Sequence, residues 1–296
     1  MRVSFARAAV LASVGLLTAL PAAADPFFFS TGNVTNSIAT ASRPASAGKF
    51  EIESADDFVL TSFTSITHAT FTGLLTGGAT TANLAEVRVE IYRVFPADTD
   101  VTRTSGPPTF STNKVPTRVN SPSDVELIGR STLPAPGDLS VTTSVLNPSF
   151  QALNSVQPGG IHPMPGQTTG GNLAITGQEV QFDVTFTTPL LLPSDHYFFV
   201  PQVEVTGGEF LWLSGIRPNP GFPPGFADLQ SWTRDAMLDP DWLRVGRDIV
   251  GGTPAPQFNA AFSLNGRAVP EPSSVVLTAT GLLALIGIGR RRRSVL

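Results

Sequence analysis

The sequence predicts an all-β fold, an antiparallel β-sandwich or jelly-roll-like body, on three observations. About ten short segments of the 296-residue chain alternate apolar and polar residues, the pattern of strands with one face in a core and one in solvent. Gly-Gly pairs at 77–78, 159–160, 170–171, 207–208 and 251–252 punctuate those segments as turns do. No long helical period alternates with them, which argues against a parallel α/β sheet. A propeller would show self-similarity at a period of roughly 40–50 residues, and none is found.

Taken in order, residues 1–24 read as a secretory signal peptide. Arg2 and Arg7 supply a positive start, Ala8–Leu20 an apolar run of 13 residues, and Pro21 ends it. A bilayer span takes about 20 residues, so this run is short for one. Ala22 and Ala24 place small side chains at −3 and −1 of a cleavage before Asp25; an uncleaved anchor is the alternative. Asp25-Pro26-Phe27-Phe28-Phe29 opens the body, and residues 30–48 are rich in Ser, Thr, Asn and Ala. A flexible leader is expected over 25–48, unless the phenylalanines pin it to the core as an edge strand.

The cleanest strand pattern is Glu179–Thr187, where Val180, Phe182, Val184 and Phe186 share one face. Val87, Val89 and Ile91 alternate with Arg88, Glu90 and Tyr92, and Phe258, Ala260, Phe262 and Leu264 alternate with polar or small residues. Further candidates are 55–60, 65–75, 125–133, 197–205, 210–213 and 242–245. Glu204–Phe210, centred on Gly207-Gly208, predicts a hairpin. Phe226–Met237 lacks early breakers and predicts one short helix. Connections at 96–123, 158–177 and 217–225 are rich in Pro, Gly, Ser or Thr; the first two are long enough to hide a strand or carry function. One sandwich domain over 49–266 is expected, with two sandwiches divided within 158–177 as the alternative.

Residues 267–296 carry three features in series. Pro270-Glu271-Pro272 precedes Ser273–Gly289, 17 residues without a charge, and Arg290-Arg291-Arg292-Arg293 follows. Seventeen helical residues reach about 26 Å, the short end of a transmembrane span, and Pro272 marks the helix entry. The arginines stay cytoplasmic by the positive-inside rule, which puts the body on the far side, in agreement with the signal peptide. This tail resembles the PEP-CTERM sorting signal of Gram-negative bacteria, over about the last 28 residues only. The resemblance implies recognition by an exosortase, a membrane transpeptidase-like enzyme that cuts near Pro270-Glu271-Pro272 and releases or transfers the body to the cell surface. It also implies a setting in which exopolysaccharide is made. A plain tail anchor needs no Pro-Glu-Pro, a GPI signal does not end in arginines, and an LPxTG pentapeptide is absent.

Composition narrows the chemistry. The chain has no cysteine, so disulfides, thiolate metal sites and a cysteine nucleophile are excluded. Charged residues are 14% and apolar residues 41%, enough for a real core. The net charge of −4 hides an acidic body: between Asp25 and Glu271 lie 23 acidic and 13 basic residues, a net −10, which argues against nucleic acid.

The histidines His68, His162 and His196 form no metal-binding spacing. Ser194-Asp195-His196 spells a catalytic triad, but adjacent strand residues point to opposite faces, and no G-x-S-x-G elbow exists. Asp98, Asp100, Asp239 and Asp241 are acceptable loop ligands for calcium, without EF-hand spacing. Trp232 and Trp242 flank an acidic loop and are candidates for stacking a sugar, with core packing as the plainer reading.

These features predict an exported surface or matrix protein, structural or binding in role and without catalysis. It passes through the inner membrane, is held there transiently by the C-terminal helix, and needs no cofactor unless calcium. The partners expected are an exosortase-like processing enzyme and extracellular polysaccharide. A carbohydrate-binding module and an extracellular hydrolase are the alternatives.

Overall fold

The computed structural model describes residues 24–98, 119–132, 137–162 and 167–269. Within them Asp25–Val269 forms one compact unit. Ala22, the motif Pro270-Glu271-Pro272, the apolar stretch 273–289 and Arg290–Arg293 lie outside the described residues. Among the described residues no helix is long and apolar enough to cross a membrane.

The strands, in chain order, are β1 (Pro26–Ser30), β2 (Val34–Ala41), β3 (Ile52–Leu60), β4 (Thr64–Leu75), β5 (Leu84–Arg93), β6 (Ile128–Thr132) and β7 (Leu139–Ala152). They continue as β8 (Ser155–Val156), β9 (Ile175–Leu192), β10 (Asp195–Val205), β11 (Phe210–Gly215), β12 (Trp232–Asp235), β13 (Leu243–Arg244) and β14 (Phe262–Ala268). They make two sheets, one curled into a half-barrel, so the all-β expectation holds. The six-stranded sheet has the order β13-β12-β3-β10-β5-β6. The eight-stranded sheet is organised by β4. One edge of β4 pairs with β14 over Thr64–Phe71 and then with β11 over Gly73–Leu75; the other edge pairs with β9, which carries β7. At this fork a Cβ on Gly73 would collide with the Phe210 ring and the Leu211 carbonyl, so the position needs glycine.

The alternation read from sequence packs the layer between the sheets. Val180, Phe182, Val184 and Phe186 of β9 are all buried there. Phe71 stacks on Phe182 with centroids 4.8 Å apart, and Phe199 of the opposite sheet stacks on Phe262 at 5.1 Å. Trp212 closes the cluster 6.0 Å from Phe199 and donates its indole N–H to the Ala261 carbonyl (2.9 Å).

Several expectations need correction. Residues 25–48 are not a free leader. β1 and β2 lie inside this stretch, and Phe29 is buried against Phe58 and Phe262. The phenylalanine run supplies what a polar leader lacks, an apolar anchor, and β1 pairs with β14 as an edge strand. Glu204–Phe210 is not a hairpin. β10 pairs with β3 and β5, β11 with β4 and β2, so Gly207-Gly208 carries the chain from one sheet to the other. The arch is tied to the end of β4, where the Thr76 N–H donates to the Glu209 carbonyl (2.9 Å). The helix expected over Phe226–Met237 is absent; β12 occupies its second half, because Trp232 and Arg234 have partners on β3 that a helix would forfeit. The third alternation becomes ladder only from Phe262.

Candidate functional site

The outer face of the six-stranded sheet is covered, not solvated. Ala55 of β3, Tyr92 of β5, Phe198 and Val200 of β10 and Trp232 of β12 form a cluster there with Leu229 and Trp242. Both tryptophans expected to stack a sugar are buried, each 1% exposed, so neither offers a face to a ligand. Trp232 donates to the Leu229 carbonyl (3.1 Å) and Trp242 to that of Ser123 (3.2 Å). Arg244 lies over the Trp232 ring at 4.6 Å, and Arg234 over the Trp242 ring at 4.3 Å. Their role in this layer is packing.

Arg234 is the hub of that layer. Its guanidinium pairs with Glu53 through Nε to Oε2 and through Nη2 to Oε1 (3.0 Å), and Nη1 donates to Asp239 (2.9 Å) and the Pro240 carbonyl (3.1 Å). The Tyr92 hydroxyl, 2.8 Å from Glu53 and 3.1 Å from Glu90, joins the two carboxylates. Burial alone would raise Glu53, but Arg234 and the hydrogen bonds hold it below the usual range. Burial, with Glu53 beside it, pushes the Glu90 carboxyl up to about 9, so Glu90 is protonated at neutral pH. The arrangement is a self-satisfied network with little left for a ligand.

A second buried group lies further along the same sheet. His196 Nε2 is 2.7 Å from Asp57 Oδ2, which also accepts the Leu229 N–H (2.9 Å). Asp56, on the opposite face of β3, accepts the Ala260 N–H at 2.5 Å. Burial raises both aspartates. The Ser194-Asp195-His196 letters do not converge. The Ser194 hydroxyl donates to the Leu60 carbonyl, Asp195 accepts the His196 backbone N–H, and the His196 ring turns to Asp57.

The described calcium candidates are paired or buried. Asp98 pairs with Arg93 (3.4 Å), Asp239 with Arg234, and Asp241 is fully buried; Asp100 lies outside the described residues. Among the described residues no group of three or more His, Asp or Glu side chains is placed to hold a metal ion.

The open chemistry is on the outer face of the eight-stranded sheet, which sequence reading passed over. Antiparallel register sets directly opposed residues on one face. One row across β1, β14, β4, β9 and β7 is Ser30, Ser263, Thr70, Asp183 and Thr142. The next row is Phe28, Asn265, His68, Thr185 and Ser140. Thr72, Gln181 and Ser144 begin a third. Two hollows of about 430 and 400 Å³ lie on this face and share Thr70. Phe28, 67% exposed, and Leu146, 51% exposed, bound the larger. Thr70 and Ser263 share a hydrogen bond (2.6 Å), and Gln181 donates to both oxygens of Asp183 (3.1 and 3.3 Å). Burial raises Glu179, at the end of the larger hollow.

Compared with family models, curated proteins and solved structures, the chain has no match. The face must therefore be read on its own chemistry. Hydroxyl, amide and carboxylate groups held on rigid strands can make many weak, directional hydrogen bonds to one extended ligand.

Proposed function

We propose that this chain is an exported, non-catalytic binding or structural protein of the cell surface or extracellular matrix, sorted and cleaved by an exosortase-like membrane enzyme. The observation that carries the reading is the tail: Pro270-Glu271-Pro272, an uncharged stretch of 17 residues and four arginines, behind a signal peptide. Before cleavage, 273–289 anchors the chain in the inner membrane with Arg290–Arg293 in the cytoplasm. The limits of the compact unit support this reading. It begins at Asp25, the residue after the expected signal cleavage, and ends at Val269, one residue before the motif. Its two ends are neighbours: Pro26 pairs with Arg267, and the Ala268 N–H donates to the Asp25 carbonyl (2.8 Å). Both expected cuts fall outside that final pair, so processing leaves the sheet whole.

Top-down mass spectrometry of the native protein, with medium and membrane fractions separated, tests it. The expected product begins at Asp25 and ends near Pro270–Pro272, with any added mass reporting what it is joined to. A membrane-bound chain still ending at Leu296 would overturn the sorting reading.

A further inference from the structure

We propose that the outer face of β1, β14, β4, β9 and β7 is a binding site for a linear, uncharged polysaccharide. The inference deepens the binding half of the reading above. It rests on the face and not on how the termini are processed.

Ligand chemistry follows from what lines the two hollows. Neither is lined by Lys or Arg, and the carboxylates there, Asp183 and Glu179, repel a polyanion. That removes acidic polysaccharides and phosphate polymers. Among the described residues no group of three or more His, Asp or Glu side chains is placed to hold a metal ion. An apolar partner fits no better, because it would bury the hydroxyls and amides of the floor without hydrogen bonds. A neutral polyol meets the remaining requirement.

The polar groups are also available. Among the described residues, the side chains of Ser140, Thr142, Thr185 and Asn265 make no hydrogen bond within the protein, although they stand in register on neighbouring strands. Each hydroxyl both donates and accepts, as a sugar hydroxyl does. Asp183 is steadied by the Gln181 amide and keeps lone pairs for further donors. The exposed ring of Phe28 ends the row that contains Asn265 and His68, where it offers a flat apolar surface to the carbon face of a sugar ring. Strands lie about 4.8 Å apart, so a row across five of them spans about 19 Å, room for several sugar units.

The test uses the full chain in a zwitterionic detergent, by affinity electrophoresis and titration calorimetry. The probes are neutral glucans, mannans and galactans, with anionic alginate as the contrast. At least one neutral polymer is expected to bind and alginate is not. Asp183→Asn, Asn265→Ala and Phe28→Ala should each weaken binding about tenfold, the loss expected for one good contact. Met237→Ala, at an exposed position outside the face, should leave binding unchanged. Near-ultraviolet circular dichroism checks that each variant is folded. Absence of binding by every neutral polymer overturns the proposal, as does tighter binding of alginate, or neutral binding that the folded face variants do not weaken. Chain termini, read separately by mass spectrometry, report on sorting; a full-length chain that binds a neutral glycan would refute the sorting reading and sustain this one.

Discussion

Replacing Arg234 by methionine should cost the protein about 3–5 kcal/mol, the penalty typical of removing one partner from a buried ion pair. The structure says why the upper half of that range is apt. Arg234 and Glu53 are each about 95% buried, with side-chain exposures of 6% and 5%. Without the guanidinium, Glu53 keeps only the Tyr92 hydroxyl and the protonated Glu90 as partners for a charge that water does not reach. The Asp239 and Pro240 contacts of β12's following turn are lost as well, together with the contacts over Trp242 and Tyr92. In a domain of this size, 3–5 kcal/mol lowers the melting midpoint by roughly 10 °C. Urea denaturation followed by far-ultraviolet circular dichroism, linearly extrapolated, measures the difference. The pair Arg234→Met with Glu53→Leu should recover most of the loss, because an apolar pair of similar volume carries no desolvation cost. A single variant within about 1 kcal/mol of the parent, or a double variant no better than the single, would refute the reasoning that Glu53 is charged and depends on Arg234.

Other outcomes follow from the same geometry. Trp232→Ala and Trp242→Ala should each destabilise by about 3–5 kcal/mol while leaving glycan affinity untouched, which separates packing from recognition in one denaturation and one titration experiment. Glu90 and Asp56 have raised pKa values, so the folded chain holds protons that the unfolded chain has released. Their contribution is fully present below the ordinary carboxyl range and is lost as pH rises from there toward about 9; stability should fall over roughly pH 5 to 9, and fall less in Glu90→Gln. Phe29→Ala should cost about 3–5 kcal/mol and leave β1 exchanging its amide hydrogens quickly; slow exchange there would show that β1 is held by something other than that ring.

Much of the fold was legible because the strongest patterns are local. Residues 179–187 announce a half-buried strand from side-chain alternation alone, and Val87, Val89 and Ile91 mark the inner face of β5 in the same way; β10 shows no such alternation because both of its faces are buried. Pairing was less legible. Gly207-Gly208 looks alike in a hairpin and in an arch between sheets; only the partners of Val203 and Trp212, distant in sequence, decide which. β7 escaped notice because Asn147-Pro148 interrupts its alternation, and the structure absorbs that dipeptide in two register shifts. Trp232 and Trp242 misled because an acidic, proline-containing loop suggests exposure, whereas Arg234 and Arg244 seal both rings from above. The open face was invisible as a site, since each of its two full rows takes one residue from each of five strands. A trace was present: the outward residues of the cleanest strand, Glu179, Gln181, Asp183, Thr185 and Thr187, carry carboxylate, amide and hydroxyl groups and include no Lys or Arg.

The pairing of β1 with β14 joins the start of the body to its end, and Thr31 bonds to Phe262 across 231 positions. That closure has a kinetic meaning. The edge of β14 that receives β1 exists only after almost the whole body has been made, and loop closure of that length comes at a high entropic cost early in folding. Until that last strand forms, β1 has no ladder partner, and the Phe29 ring has Phe58 and Phe222 beside it but lacks Phe262. Completion of the sheet therefore waits on the last strand, and a chain cut short before residue 262 has no ladder partner for β1.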